Sequence, residues 1–388
     1  MATGFTLSQI GGYTVDLDDV LIRREYFNDG TLWTWGWNLS GQLGDNTTST
    51  RSSPVTTAGG GTNWRQVAGG YNHTAAIKTD GTLWTCGYNY NGQLGDNTTS
   101  TRSSPVTTVA GGTNWRQVAG GGSHAAAIKT DGTLWTWGYN VFGHLGDNTT
   151  SSRLSPVTTA GGGTNWRQVA CGYHHTAAVK TDGTLWTWGY NVFGHLGDNT
   201  TSSRLSPVTT AGGGTNWRQV ACGYHHTAAV KTDGTLWTWG VNNYGQLGDN
   251  TLTDRSSPVT TVAGGTNWKQ VAGGFYHTAA VKTDGTLWTW GRNNNGQLGD
   301  NTTSTRSSPV TTVAGGTNWR QVAGGGSRTA AIKTDGTLWT WGRNNYGQLG
   351  DNTLTDRSSP VTTVAGGTNW KQVASGSDHT AAITDLTI

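Results

Sequence analysis

Thr31-Leu-Trp-Thr-Trp-Gly36 returns as Thr82-Leu-Trp-Thr-Cys-Gly87 and as Thr133-Leu-Trp-Thr-Trp-Gly138, then at 184–189, 235–240, 286–291 and 337–342. The step is 51 residues and never slips. The only prolines, Pro54, Pro105, Pro156, Pro207, Pro258, Pro309 and Pro360, keep the same step. So do seven Asp-Gly pairs, from Asp29-Gly30 to Asp335-Gly336. Self-similarity at this period marks an array of one supersecondary unit, and a finite count of seven points to a ring that closes on itself.

Within the unit Gly30 to Asp80, Thr31–Gly36 is aromatic and β-branched, which predicts a strand. Ser53–Thr57 carries the proline and suits an edge strand, where a missing amide donor costs least. Trp64–Ala68 and Thr74–Lys78 complete the set, and Thr79-Asp80-Gly81 turns tightly into the next unit. No segment has a helical period. The prediction is an all-β, seven-bladed propeller with four antiparallel strands per blade.

Trp33 and Trp35 are two apart and project from one face of their strand, so the pair can cement neighbouring blades. The small Ala75-Ala76 pair is expected in a crowded position near the axis. The last unit stops after Thr380-Ala-Ala-Ile383, and the first begins with an unpartnered Thr-Leu-Trp strand. Joining these N- and C-terminal strands closes the ring. Leu21–Phe27 is in register to compete for the same place. The chain divides into an N-terminal extension, 1–23, a candidate docking segment, and a propeller over 24–388.

Composition argues against several classes. Net charge is +3 and charged residues are 12%, with no basic tail, which points away from nucleic acid and from membrane surfaces. The 61 glycines could signal disorder, but 21 regularly placed tryptophans signal a packed fold. No apolar run is long enough for a membrane span. Residues 1–19 read as no secretory leader, which places the protein in the cytoplasm or in a virus particle. Cys86, Cys171 and Cys222 read as reduced, buried thiols. The Asn-Thr-Thr triplets read as turn chemistry rather than glycosylation sites.

The run Gly-Thr-Leu-Trp-Thr-Trp-Gly-x-Asn-x-x-Gly-Gln-Leu-Gly-Asp at 30–45, and Val-Ala-Gly-Gly-x-x-His-Thr at 67–74, resemble the two halves of the repeat of the regulator of chromosome condensation family. The resemblance covers roughly residues 20–388. It implies a seven-bladed propeller. The family's eukaryotic founder is a guanine-nucleotide exchange factor that works through an inserted wedge and a basic tail. This chain shows neither, so the resemblance carries fold further than activity.

Comparison of the seven units with one another locates the variation. One variable cluster follows the first strand and supplies Trp37, Tyr88, Tyr90, Tyr139, Phe142, Tyr190, Phe193, Tyr244, Arg292, Arg343 and Tyr346. The other follows the third strand and supplies Tyr71, Tyr173, His174, Tyr224, His225, Phe275 and Tyr276. In an up-and-down sheet both clusters emerge on the same side. Aromatic, arginine and histidine side chains there form a candidate recognition surface for a protein or a carbohydrate. The competing reading is free drift of exposed loops, with some rings filling gaps between blades.

Catalytic chemistry is not indicated. The only glutamate is Glu25, and most aspartates fall in repeated turns. His73, His124, His175, His226, His277 and His379, with Arg328 in the seventh copy, read as a hydrogen-bonded structural position rather than a metal ring. Asp249–Asp254 and Asp351–Asp356 faintly resemble calcium loops but lack the inner acidic ligands. No catalytic residue, metal site or cofactor is expected. The reading is a non-enzymatic binding propeller, with a virion component as the alternative.

Overall fold

The computed structural model describes residues 30–385, and the fold is that of these residues. The described residues begin with β1 (Gly30–Gly36), β2 (Arg51–Thr56), β3 (Trp64–Gly69), β4 (His73–Lys78), β5 (Leu83–Gly87) and β6 (Arg102–Thr107). The last four of these recur at 51-residue intervals. Seven antiparallel four-stranded sheets result. No helix of the described residues is long and apolar enough to cross a membrane.

A blade is not the sequence unit Gly30 to Asp80. Blade one is β3-β4-β5-β6, so it joins the second half of one unit to the first half of the next. The half-unit offset makes the ring close by hydrogen bonding. In blade seven, β1 pairs with His379–Asp385 from Gly30↔Asp385 to Gly36↔His379. Leu21–Phe27, the expected competitor, lies outside the described residues.

The strand carrying Trp64 is innermost, and glutamines link these strands round the axis. Gln66 Nε2 donates to Val118 O of the next blade (3.3 Å), whose amide donates back to Gln66 Oε1 (2.9 Å). The same exchange between Gln372 and Val67 joins blade seven to blade one. The proline strand is outermost, as an edge position requires. Ala75 and Ala76 are buried, but on the second strand. The crowded axial end of the innermost strand is glycine in four blades, where a Cβ on Gly69 would lie 2.5 Å from the amide nitrogen of Gly376, and Cys171, Cys222 or Ser375 in the other three.

Seven apolar clusters lie between adjacent blades. One combines Ala75, Ile77 and Leu83 of blade one with Trp115, Val118, Ala127 and Trp137 of blade two. Trp33 and Trp35 both pack on Trp370, so they share a face. Trp35 Nε1 donates to Gln348 O of the preceding blade (3.0 Å), which satisfies the indole in the interior.

Each turn position has a local cause. Asn46, Asn97, Asn148, Asn199, Asn250, Asn301 and Asn352 all have φ of 59–64°, a left-handed conformation that asparagine tolerates. Burial would raise the Asp45 pKa, but hydrogen bonds from Thr47, Arg51 and Asn38 outweigh it and hold the carboxyl below its usual value. Asp80 accepts from the Thr82 amide (2.9 Å) and hydroxyl (2.7 Å). The three cysteines are free thiols.

Candidate binding face

Two loops per blade build the face. The first is the turn after the innermost strand, Gly70-Tyr71-Asn72 in blade one, closed by Gly70 N–H to His73 O (2.8 Å). The second follows the third strand. The register His73↔Gly87 sets their bases side by side, and Tyr88 N–H donates to Asn72 O (2.9 Å).

The second loop is held by a buried asparagine. Asn38 Nδ2 donates to Asp45 Oδ1 (3.0 Å) and Ser49 O (3.0 Å), and its Oδ1 accepts the Leu43 amide (2.9 Å). Gly41 has φ of +71°, and a Cβ there would stand 2.5 Å from Ser103 Cα of the next blade. This frame recurs with Asn89, Asn140, Asn191, Asn242, Asn293 and Asn344. It leaves only the neighbouring x positions free to change.

The eighteen sequence-predicted residues all occupy these two loops, but they do not stand as separate exposed rings. Seventeen are half-buried, and Tyr90 alone is exposed, at 67%. Tyr71, Tyr173, Tyr224 and Phe275 converge over the axis. Tyr173 stacks on Tyr224 at 4.1 Å between centroids, and Tyr71 stacks on Phe275 at 5.6 Å across the ring. They cap a glycine-lined channel of about 70 Å³. Gly122 belongs to this arrangement, since a Cβ there would sit 2.8 Å from the Tyr173 ring.

Outside the cap, Tyr139, Phe142, His174, Tyr190, Phe193 and His225 form a continuous arc across blades two to four. Phe142 lies 4.8 Å from Tyr190, and Phe193 lies 5.3 Å from His225. Further round, Arg292 covers Tyr244 and Tyr276 at 5.3 and 5.8 Å. Arg343 covers Tyr346 at 5.5 Å and pairs with Asp378 at 3.7 Å. Trp37 meets Tyr346 at 4.3 Å, and Tyr88 meets Tyr90 at 4.7 Å. The face is thus aromatic over blades two to four and carries arginines over blades five and six.

His144 and His195 escaped the sequence reading. They replace Gln42, Gln93, Gln246, Gln297 and Gln348 of the other units and are fully buried beneath the arc. His144 Nε2 lies 3.0 Å from His174 Nδ1, and the His195 ring is 5.3 Å from His225. Burial lowers the pKa of His174 and His225 to about 4, so both rings are neutral near pH 7. The signal was present as a glutamine-to-histidine change inside an otherwise constant Gly-Gln-Leu-Gly-Asp run.

The repeated histidines bond from blade to blade. His124, His175, His226, His277 and His379 each place Nε2 2.9–3.0 Å from the threonine hydroxyl of the next blade. Arg328 Nε donates to Thr380 Oγ1 in the same way (2.9 Å). In the two loops resembling calcium sites, the acids are engaged: Asp249 pairs with Arg255 (3.0 Å), and Asp254 accepts the Asn242 amide (2.7 Å). Among the described residues no group of three or more His, Cys, Asp or Glu is arranged to hold a metal ion.

The family model for the RCC1-like domain matches residues 26–270 and 117–387. The ultraviolet-B receptor UVR8 of Arabidopsis thaliana is 35% identical over 334 residues, covering 84% of this chain and 76% of the receptor. The E3 ubiquitin-protein ligase HERC2 of Homo sapiens is 31% identical over 381 residues, which is 91% of this chain but only 8% of that protein. The structure of Kap60 bound to yeast RCC1 (Prp20) superposes with a TM-score of 0.83 at 18% identity, covering 100% of this chain and 97% of that one, a likeness of fold alone. By family model and by relatedness, the chain belongs to the RCC1-like domain family of propellers.

Proposed function

We propose that this propeller binds a partner protein through the aromatic face, and that it does so without catalysing a reaction. The observation that carries the reading is the clustering of most variation on one side of the disc. The framework asparagines, turn aspartates and inter-blade tryptophans barely change, whereas the x positions beside them exchange Trp, Tyr, Phe, Arg and His. Those side-chain types supply much of the energy in protein interfaces. Half-buried rings locked against one another also lose little conformational entropy on binding. Family membership supports the reading, since yeast RCC1 (Prp20) forms a complex with Kap60. Residues 1–23 are proposed as a separate docking segment preceding the propeller.

The test is capture from the native source with wild type and a variant carrying Tyr90→Ser, Phe142→Ser, Phe193→Ser and Tyr346→Ser. A partner retained by wild type and lost by the variant, with unchanged melting, is the expected result. Equal capture by both removes the aromatic face from the contact.

A further inference from the structure

On the opposite side of the disc each blade presents a second aromatic device. In blade one, Lys78 Nζ lies 4.8 Å from the centroids of both Trp64 and Trp84. Blades two to six repeat it, with the lysine ammonium 4.6–4.8 Å from each ring of the local tryptophan pair. The two rings and the lysine form a cation–π clamp.

Blade seven keeps the rings and lacks the cation. Trp33 and Trp370 lie 6.4 Å apart, as the other pairs do, and cross at 66° where those cross at 72–75°. The residue opposite Trp370 is Thr384, where Lys78 stands opposite Trp64. Thr384 accepts the Trp33 indole N–H instead (3.3 Å). None of the described residues brings an ammonium or guanidinium over either ring. A cavity of about 490 Å³ opens beside the pair, lined by Thr31, Trp33, Asn369, Trp370, Thr384 and Asp385 among others. Asp385 adds a carboxylate where the other blades have Thr79 and its repeats. Its side chain is 41% exposed and pairs with Lys371 at 4.0 Å.

We propose that the Trp33–Trp370 pair is a binding site for an organic ammonium cation, such as a lysyl or methylated amine group carried by a ligand. A ring pair at this separation holds an ammonium in six other blades, and here none of the described residues supplies the cation. Asp385 favours positive charge at the cavity mouth. The site lies on the far side of the disc from the proposed protein-binding face and is independent of it.

Choline and its uncharged isostere 3,3-dimethylbutan-1-ol serve as probes, read by saturation-transfer NMR and calorimetry on the full chain. Wild type is expected to bind choline about tenfold more tightly than the isostere, since cation–π attraction requires the charge. Thr384→Lys places the missing ammonium in the cage, as six other blades do, and is expected to abolish choline binding with melting unchanged or raised. Trp33→Phe keeps an aromatic face but a weaker one, and is expected to reduce affinity several-fold. The proposal is overturned if choline does not bind wild type, if the isostere binds equally well, or if either substitution leaves choline affinity unchanged.

Discussion

At one side of the disc, six lysines cap six near-identical tryptophan pairs. At the other side, the residue after the third strand is Trp37, Tyr88, Tyr139, Tyr190, Val241, Arg292 and Arg343 in turn. Both sides hold aromatic rings in contact. Their difference lies in what fixes each ring. Trp166, whose position is tryptophan in all seven units, is buried between blades and donates to Gly162 O (2.9 Å), so volume and donor geometry fix it. Tyr190 is half-buried in a loop whose shape is set by Asn191, so its identity is free to answer to something outside the chain. Uniform aromatics therefore mark assembly of the ring, and varied aromatics mark its use.

Acid should separate the two sides most strongly. The buried histidines start the second strands, at the variable end. Burial lowers His73 and His277 to about 4, and His124, His226 and His379 to about 3. In the unfolded chain their pKa is about 6.5. Above that value both states are neutral and stability is complete. Below it the unfolded chain takes up protons that the folded one refuses, so stability is lost as pH falls towards 4–3. Each histidine then costs about 1.4 kcal/mol per pH unit. The turn aspartates opposite, such as Asp80 and Asp131, have pKa values lowered from 3.8. Melting temperature should be flat from pH 8 to 7 and fall steeply from 6 to 4.

Single substitutions give the next contrast. Trp188→Ala removes an inter-blade indole and should cost about 3–5 kcal/mol in denaturant unfolding. Tyr190→Ser, two residues on, should cost about 1 kcal/mol or less.

Cys86 is a natural break in the uniform set. It stands where the other six blades have the second tryptophan of the strand, and its thiol lies 3.6 Å from Gln42 O, the acceptor an indole would use. Cys86→Trp should restore the inter-blade hydrogen bond and raise stability by about 1–2 kcal/mol, measured by denaturant titration. A smaller effect is expected at Ala125. It replaces the threonine that would face His73, whose ring nitrogens have no partner. Ala125→Thr should add about 1 kcal/mol, and the same titration checks it.

Much of this was legible in sequence because the repeat supplies its own comparison. Period, edge prolines, closure by the terminal strands and the common side of both variable loops all followed from spacing. The half-unit offset of the blades did not, because a tandem repeat reads the same from any starting point. Only hydrogen bonding decides that β3 and β4 join β5 and β6. The packing of Tyr71 against Phe275 was also hidden, since it arises across the axis from residues 204 positions apart. His144 and His195 were readable as exchanges for glutamine, but their burial under the arc was not. The lysine clamp was written at constant spacing, yet its meaning depends on a ring pair drawn from two strands.

Photo-crosslinking tests the division of the disc most directly. Benzoylphenylalanine is placed at Tyr90 and Val192 on the variable side, and at Asp182 and Asp233 in the turns of the opposite side, all four positions being exposed. After irradiation with native extract, the same partner protein should be captured from the first two positions and not from the last two. Capture from Asp182 and Asp233 alone would place the contact on the uniform side and contradict the reading of varied aromatics as the recognition surface.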